Sequence, residues 1–184
     1  MSAEPSLPDK VVAIHDGLRT ARIGHAFGGA LALAYYAEPR ATIDIALTVF
    51  VPPGRHAAVH AALGPLGVAD EVDERALARD GQCRWWWGRT PVDLFFAYDE
   101  LHDAMRRATR TVPFGETTIP VLAPEHLTVC KAVFDRPKDW LDIEQILVCE
   151  GDLDIPEIER WLTRIAGPED RRTQRFGELA ASVR

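Results

Sequence analysis

Hydrophobic positions along the chain fall into segments of helical spacing and segments typical of strands. Residues 8–22 carry apolar side chains three to four positions apart, which predicts an amphipathic helix. The alanine- and leucine-rich run from Ala30 to Tyr36 favours a second helix, and Pro39 ends it. From Thr42 to Val51, β-branched and apolar residues predict a strand. The chain therefore begins with helices and strands in alternation.

The same reading places further elements downstream. The predicted segments are a short strand or turn at 25–27, a helix at 56–66, an exposed helix or loop at 70–81, two strands within 83–96 joined at 88–91, a helix at 101–110 and a hairpin at 112–122. Pro124 opens a region whose pattern is helical to the end. We expect an α+β fold: a mixed sheet flanked by helices in residues 1–122, and a C-terminal helical lobe in residues 123–184.

Two of the predicted strands contain an acidic residue among apolar neighbours. Asp44 shares a strand face with Ala46, and Asp93 lies between Val92 and Leu94. A lone carboxylate is costly to bury, so each acid needs water, a partner or a metal ion. Asp93 can also be explained as an exposed strand acid. The two positions nevertheless indicate a site on the sheet.

A glycine pair precedes the first of these acids. Gly28 and Gly29 stand before the predicted helix, and an arginine and a threonine stand before the strand with Asp44. This order resembles the nucleotidyltransferase (polymerase β-like) superfamily, in which a Gly-Gly or Gly-Ser pair opens a helix and the next strand carries Asp-x-Asp. The Tyr-Tyr, Pro-Arg-Ala-Thr and Val-Phe-Val-Pro pieces look most like the AbiEii/MenT-type nucleotidyltransferase toxins. Ala46 stands in the place of the second acid.

The resemblance implies a role for each matching residue. Asp44 and Asp93 would ligate Mg²⁺. The glycines would approach the triphosphate of an NTP substrate, and Lys131 would neutralise the charge of that triphosphate. Either Asp139 or Asp142 would orient the acceptor hydroxyl or hold Lys131, although a helix N-terminus explains both acids almost as well. The implied catalytic positions are Asp44, Ala46, Asp93, Lys131 and Asp142, and the implied nucleotide-binding residues are Gly28, Gly29, Arg40, Lys131 and Lys138.

Ala46 puts the activity of this chain in question. Either the chain is a natural relative that has lost activity or uses another metal arrangement, or it is an engineered form of an active enzyme. The remaining site residues are in place, which favours the engineered origin. Two other functions stay open: a catalytically silent module that binds a nucleotide or a protein, and a transferase that acts on a small molecule such as an aminoglycoside.

The resemblance also implies an acceptor and a partner. They are tRNA, extended at its 3′ end, and a cognate antitoxin protein. The net charge of -7 argues against a broad, sequence-independent grip on nucleic acid. The chain shows no run long enough for a membrane span and no signal peptide at its start, so we expect a cytoplasmic protein.

Three consecutive tryptophans, residues 85–87, stand in the first of the two strands within 83–96. Their rings could stack on bases. Alternate residues of a strand face opposite ways, however, so at least one ring must pack inward. The sequence favours core or interdomain packing for this cluster.

Overall fold

The computed structural model describes residues 4–69 and 72–183. Its α-helices are α1 (Leu7–Thr20), α2 (Gly29–Leu33), α3 (His56–Leu63), α4 (Glu74–Asp80), α5 (Glu100–Ala108), α6 (Pro124–Phe134), α7 (Pro137–Cys149), α8 (Ile155–Ala166) and α9 (Arg171–Val183). Most of the stretch predicted as an exposed helix or loop is α4. Its first two residues, Asp70 and Glu71, lie outside the described part of the chain.

The described strands form one mixed sheet. They are β1 (His25–Phe27), β2 (Ile45–Val49), β3 (Val68–Ala69), β4 (Gln82–Trp87), β5 (Thr90–Phe96), β6 (Arg110–Phe114) and β7 (Thr117–Val121). Their order in space is β3-β4-β5-β2-β1-β7-β6. The pairs β2·β5 and β1·β7 are parallel, and the other neighbours are antiparallel. The α+β class predicted from the sequence is confirmed.

Alternation along the central strands gives the sheet one fully apolar face. Ile45 and Leu47 of β2 and Val92 and Leu94 of β5 are buried to 1% exposure or less. The residues between them on the chain point to the opposite face, where Ala46 and Asp93 are only half-buried. The polar positions of the central strands therefore lie together on one side of the sheet.

A buried lysine fastens α1 to the β4–β5 hairpin. Lys10 is 1% exposed. Its Nζ donates to the carbonyl oxygen of Trp87 at 3.0 Å, to Oγ1 of Thr90 at 2.9 Å and to a carboxylate oxygen of Glu4 at 2.6 Å. These three acceptors satisfy the three hydrogen-bond donors of the buried ammonium group. The hairpin that carries Asp93 is thus fixed at its turn end.

The described residues divide into two compact units. One contains the residues up to Leu31 and those from Ala41 to Val121, which include the whole described sheet. The other contains Ala32–Arg40 together with the helices from Leu122 onward. Within this helical unit, the hydroxyl of Tyr36 donates to the carbonyl oxygen of Leu122 at 2.9 Å. The short segment before the β2 strand therefore packs with helices far along the sequence.

Two elements are shorter than their sequence patterns predict. The helix expected from Ala30 to Tyr36 is only the five-residue α2, followed by turns. The strand expected from Thr42 to Val51 is limited to Ile45–Val49, so Asp44 lies immediately before it. Among the described helices, none has the length and apolar character required to cross a bilayer.

Candidate functional site on the sheet

Four residues form a row across the neighbouring strands β4, β5, β2 and β1. Arg84 pairs in register with Asp93, and Asp93 pairs in register with Ala46. The amide of Gly28, just after β1, donates to the carbonyl oxygen of Ala46 at 2.9 Å. Residues in register on adjacent strands have side chains on the same face. The row thus brings Asp93, Ala46 and the glycine pair together.

Arg84 donates two hydrogen bonds from its guanidinium group to the carboxylate of Asp93. Nε donates to Oδ1 at 2.6 Å, and Nη2 donates to Oδ2 at 3.0 Å. The Arg84 side chain is 51% exposed and the Asp93 side chain 24% exposed. This hydrogen bonding to Asp93 holds the pKa of Arg84 above its ordinary value. Arg84 is therefore a permanent positive charge at the site.

Asp44 lies close enough to Arg84 for their charges to interact. The negative charge of Asp44 contributes to the raised pKa of Arg84, after the effects of Asp93. The Asp44 backbone is fixed by Thr42, because the Asp44 amide donates to the Thr42 hydroxyl oxygen at 3.2 Å. The Asp44 side chain is half-buried. The Arg84 guanidinium therefore pairs with Asp93 and interacts with Asp44 through charge alone.

The glycine pair leaves space directly beside Ala46. Gly29 has a φ of +57°, a backbone conformation that favours glycine. A Cβ atom placed on Gly29 would lie 2.9 Å from the Cβ of Ala46, which is too close for two carbon atoms. A side chain at position 29 would therefore fill the space next to position 46.

The residues on this face do not fit a two-metal centre. Such a centre needs several free carboxylate oxygens. Ala46 offers none, and both oxygens of Asp93 are already hydrogen-bonded to Arg84. Within the described residues, no group of three or more His, Cys, Asp or Glu side chains is placed to hold a metal ion. The metal-ligand role of Asp44 and Asp93 stays a prediction.

A second group of predicted site residues lies together in the helical unit. Lys131 of α6 donates from Nζ to Oδ2 of Asp142 in α7 at 2.6 Å. Arg40 donates to the two oxygens of the same carboxylate, with both distances 3.1 Å. The side chains of Lys131 and Asp142 are 5% and 6% exposed. Asp142 therefore ties the segment ending at Arg40 to both helices.

Burial and pairing act against each other in this cluster. Burial lowers the pKa of Lys131, and the hydrogen bond and charge of Asp142 oppose that effect without cancelling it. For Asp142, burial acts to raise the pKa, but hydrogen bonds from Arg40 and Lys131 leave the pKa below its ordinary value. The close contact of opposite charges keeps the pair ionised at neutral pH. Lys131 is thus already paired inside its own unit.

The structure separates the two acids between which the sequence could not choose. Asp139 is fully buried and accepts two hydrogen bonds from the side chain of Arg136, at 2.6 and 3.1 Å. Asp139 also accepts from the amide of Arg136 at 3.3 Å, so it caps the start of α7. Asp142, in contrast, holds Lys131. Lys138 is exposed, and its predicted contact with nucleotide stays a prediction.

The tryptophans of β4 alternate between the two faces. Trp85 and Trp87 are 0% and 9% exposed, whereas Trp86 is 41% exposed. Packing inward accounts for the first two rings, in agreement with the sequence pattern. Trp86 lies on the same strand face as Arg84.

Comparisons with solved structures identify proteins of the same architecture. The solution structure of the antibiotic-resistance factor ANT(2'')-Ia has a TM-score of 0.58 at 15% identity, covering 98% of this chain and 92% of that one. The crystal structure of ANT(2'')-Ia with adenylyl-2''-tobramycin has a TM-score of 0.55 at 14% identity, covering 96% and 95%. The lincomycin-bound lincosamide antibiotic adenylyltransferase LnuA also has a TM-score of 0.55, at 11% identity, covering 78% and 98%.

This chain has the nucleotidyltransferase fold. No protein-family model matches the sequence. A comparison with curated proteins also finds no match. At such low sequence identity, the likeness to these solved structures shows a shared fold. The chemistry of this chain depends on its own residues.

Arg84 is the site residue that sequence reasoning missed. The turn of the β4–β5 hairpin lies at Gly88 and Arg89, because Trp87 pairs with Thr90. Counting outward from this two-residue turn places Arg84 opposite Asp93. The sequence prediction placed the join over residues 88–91, a span that does not fix the register. Gly88, which follows the run of strand residues, is the sequence signal that marks the position of this turn.

Proposed function

We propose that this chain is a nucleotidyltransferase in which Ala46 impairs the transfer step, and that it binds a nucleoside triphosphate beside the sheet row. The observation that supports the proposal is the position of Ala46. Its methyl group lies in register with Asp93 and against the side-chain-free backbone of Gly29. The nucleotidyltransferase fold agrees with it.

The chemistry of transfer explains why position 46 matters. An acceptor hydroxyl attacks the α-phosphorus in line, and pyrophosphate leaves. Positioning and neutralisation of phosphate charge lower the barrier. The alanine methyl group can neither accept a proton nor bind a cation. We therefore expect this chain to bind the triphosphate weakly, because two carboxylates and only one guanidinium face it, and to transfer little.

We propose a small hydroxylated molecule as the acceptor. Two neighbours in the structural comparison are an antibiotic-resistance factor solved with adenylyl-2''-tobramycin and a lincosamide antibiotic adenylyltransferase solved with lincomycin. The matches cover 95% and 98% of those two chains. The net charge of -7 also suits a cationic antibiotic better than RNA.

The second candidate acceptor is the 3′ end of tRNA, with a cognate antitoxin as partner. The glycine pair, the Pro-Arg-Ala-Thr piece and the Asp44 strand support it through their likeness to the AbiEii/MenT-type toxins. On this account Ala46 makes a toxic activity tolerable to the producing cell. A binding module without activity is the remaining alternative.

Comparison of Ala46→Asp with Ala46→Asn tests the proposal. Each variant and the parent are incubated with magnesium and labelled nucleoside triphosphates, together with total tRNA, an aminoglycoside panel or a lincosamide panel. We expect Ala46→Asp to transfer label at least about a hundredfold faster than the parent, since a positioned acid typically contributes that much. Ala46→Asn has nearly the same size without the charge and should resemble the parent.

The acceptor that takes the label distinguishes the two candidates. Label on an antibiotic supports the small-molecule transferase, and label on tRNA supports the toxin. If folded Ala46→Asp transfers nothing to any acceptor, the chain is a binding module and the transferase proposal is wrong.

A further inference from the structure

The row on the sheet has a cation of its own, supplied by the protein. We propose that Arg84 is the resident counter-ion of this site and keeps divalent metal ions away from the Asp44 and Asp93 carboxylates. The inference concerns the face to which the proposed function assigns the nucleotide. It defines Arg84 as a positioning residue that controls which cation the site accepts.

The first reason is geometric. A metal ion at Asp93 must bind a carboxylate oxygen, and Arg84 donates to both of them at 2.6 and 3.0 Å. A guanidinium matches a carboxylate through two parallel hydrogen bonds, which is the strongest pairing available to this side chain. A metal ion must therefore compete with the guanidinium for these oxygens or bind them directly beside it.

The second reason is electrostatic. Arg84 remains protonated at any working pH, so its positive charge is permanent. That charge cancels the charge of one carboxylate and repels an incoming cation at short range. Asp44 and Asp93 both interact with it. With alanine at position 46, the described residues of the row include no third acid to restore the attraction.

The third reason is that the strand holds Arg84 in place. Trp85 and Trp87 of the same strand are buried on the opposite face. The register with β5 is fixed over Gln82–Trp87, and Lys10 fastens the turn. A backbone anchored in this way places the Arg84 side chain opposite Asp93, where the two groups pair.

Metal affinity measured without nucleotide tests the proposal independently of the proposed function. Mn²⁺ is titrated into the parent, Arg84→Met, Arg84→Met/Asp93→Asn and Arg106→Met, and free Mn²⁺ is followed by electron paramagnetic resonance. Arg106 is a matched control, because it also pairs with an aspartate, Asp103 at 3.3 Å, and is 58% exposed. Circular dichroism confirms that each variant is folded.

We expect Arg84→Met to bind Mn²⁺ at least about tenfold more tightly than the parent, because one repulsive charge is lost and two oxygens are freed. The double variant should return to the parent's affinity, and Arg106→Met should not differ from the parent. An unchanged affinity in Arg84→Met would overturn the proposal. So would a gain that survives Asp93→Asn.

Arg84→Lys provides a second measurement if Arg84→Met does not fold. Lysine keeps the charge and loses the two-pronged hydrogen bond, so we expect a gain in Mn²⁺ affinity smaller than that predicted for methionine. An affinity equal to the parent's would show that the charge excludes metal ions without the paired geometry, whereas an affinity below the parent's would overturn the proposal. Absence of nucleotide binding in any variant would instead count against the proposed function.

Discussion

The buried histidine His25 is uncharged in the folded protein at neutral pH. His25, at the start of β1, is 7% exposed. Its Nδ1 lies 3.0 Å from the carbonyl oxygen of Ile23, which can only accept, so Nδ1 carries the proton. Its Nε2 then accepts from Nδ1 of His15 at 3.0 Å. The two histidines are therefore paired as neutral rings.

This pairing predicts a loss of stability in mild acid. Burial lowers the pKa of His25 to about 4, despite the opposing hydrogen bond to Ile23, whereas an unfolded histidine titrates near 6.5. The unfolded chain therefore binds a proton first as the pH falls. The stability that neutral His25 provides is complete above about pH 6.5 and declines by about 3 kcal/mol down to pH 4.

Urea unfolding of the parent and of His25→Gln, at pH 7 and pH 4.5, measures this contribution. Glutamine can donate to Ile23 and accept from His15 without titrating, so the variant should lose less free energy of unfolding between the two pH values. The carboxylates titrate in both proteins and cancel in the difference. The same pH dependence in both proteins would show that His25 is not the titrating group.

Sequence reasoning found the acids but missed their partner. Asp44 and Asp93 stand out because a carboxylate among apolar strand residues is costly and needs an explanation. Arg84 looked like an ordinary exposed arginine, since an alternating strand places polar residues outward in any case. Only the register of β4 with β5, which the turn position decides, connects Arg84 to Asp93.

Whole elements depend on ion pairs that join distant parts of the sequence. In the helical unit, Asp142 of α7 accepts from Lys131 of α6 and from Arg40. Removing one partner of a buried ion pair is more costly than replacing the pair as a whole, because a charge is left without a partner. Lys131, Asp142 and Arg40 therefore contribute unequally to the free energy of unfolding.

We predict that Asp142→Asn destabilises the protein by about 3 kcal/mol, because it leaves two cations without their carboxylate. Lys131→Met should cost less, about 1 kcal/mol, since Arg40 still pairs with Asp142 and methionine fills the apolar space of the lysine stem. Thermal or urea unfolding of both variants gives the comparison. A larger loss in Lys131→Met than in Asp142→Asn would contradict this description of the cluster.

The element boundaries show what local pattern can and cannot determine. The β1 strand and the sheet elements near 83–96 and 112–122 could be predicted, because their periodicity and turns are local signals. The helix expected from Ala30 to Tyr36 ends early at Leu33, since tertiary contacts such as Tyr36 with Leu122 outweigh the helix propensity of the run. No local pattern indicates that contact.

At the scale of the whole molecule, the fold class could be predicted and the strand order could not. Strand pairs and hairpins followed by a run of helices indicate an α+β protein. The order β3-β4-β5-β2-β1-β7-β6 requires β2 to pair with β5 and β1 with β7, across long intervening segments. The pairing of β2 with β5 places Ala46 beside Asp93. Neither long-range pairing is indicated by a local sequence pattern.

The proposed nucleotide site lies at one place on the sheet. The face with Arg84, Asp93 and Ala46 is beside the glycine pair, and the fold is that of nucleotidyltransferases. Other parts of the sheet unit supply a comparison. Gly115, at the β6–β7 turn, has a φ of +59°, close to that of Gly29, with open space around it.

The most direct test is to add ATP to the unmodified, isotope-labelled protein and follow assigned nuclear magnetic resonance signals. We predict that the amide signals of Gly28 and Gly29 and the methyl signal of Ala46 shift together and saturate with a single affinity, while the amide of Gly115 does not move. Saturable binding that shifts other signals and leaves those three unchanged would contradict the assignment of the nucleotide site.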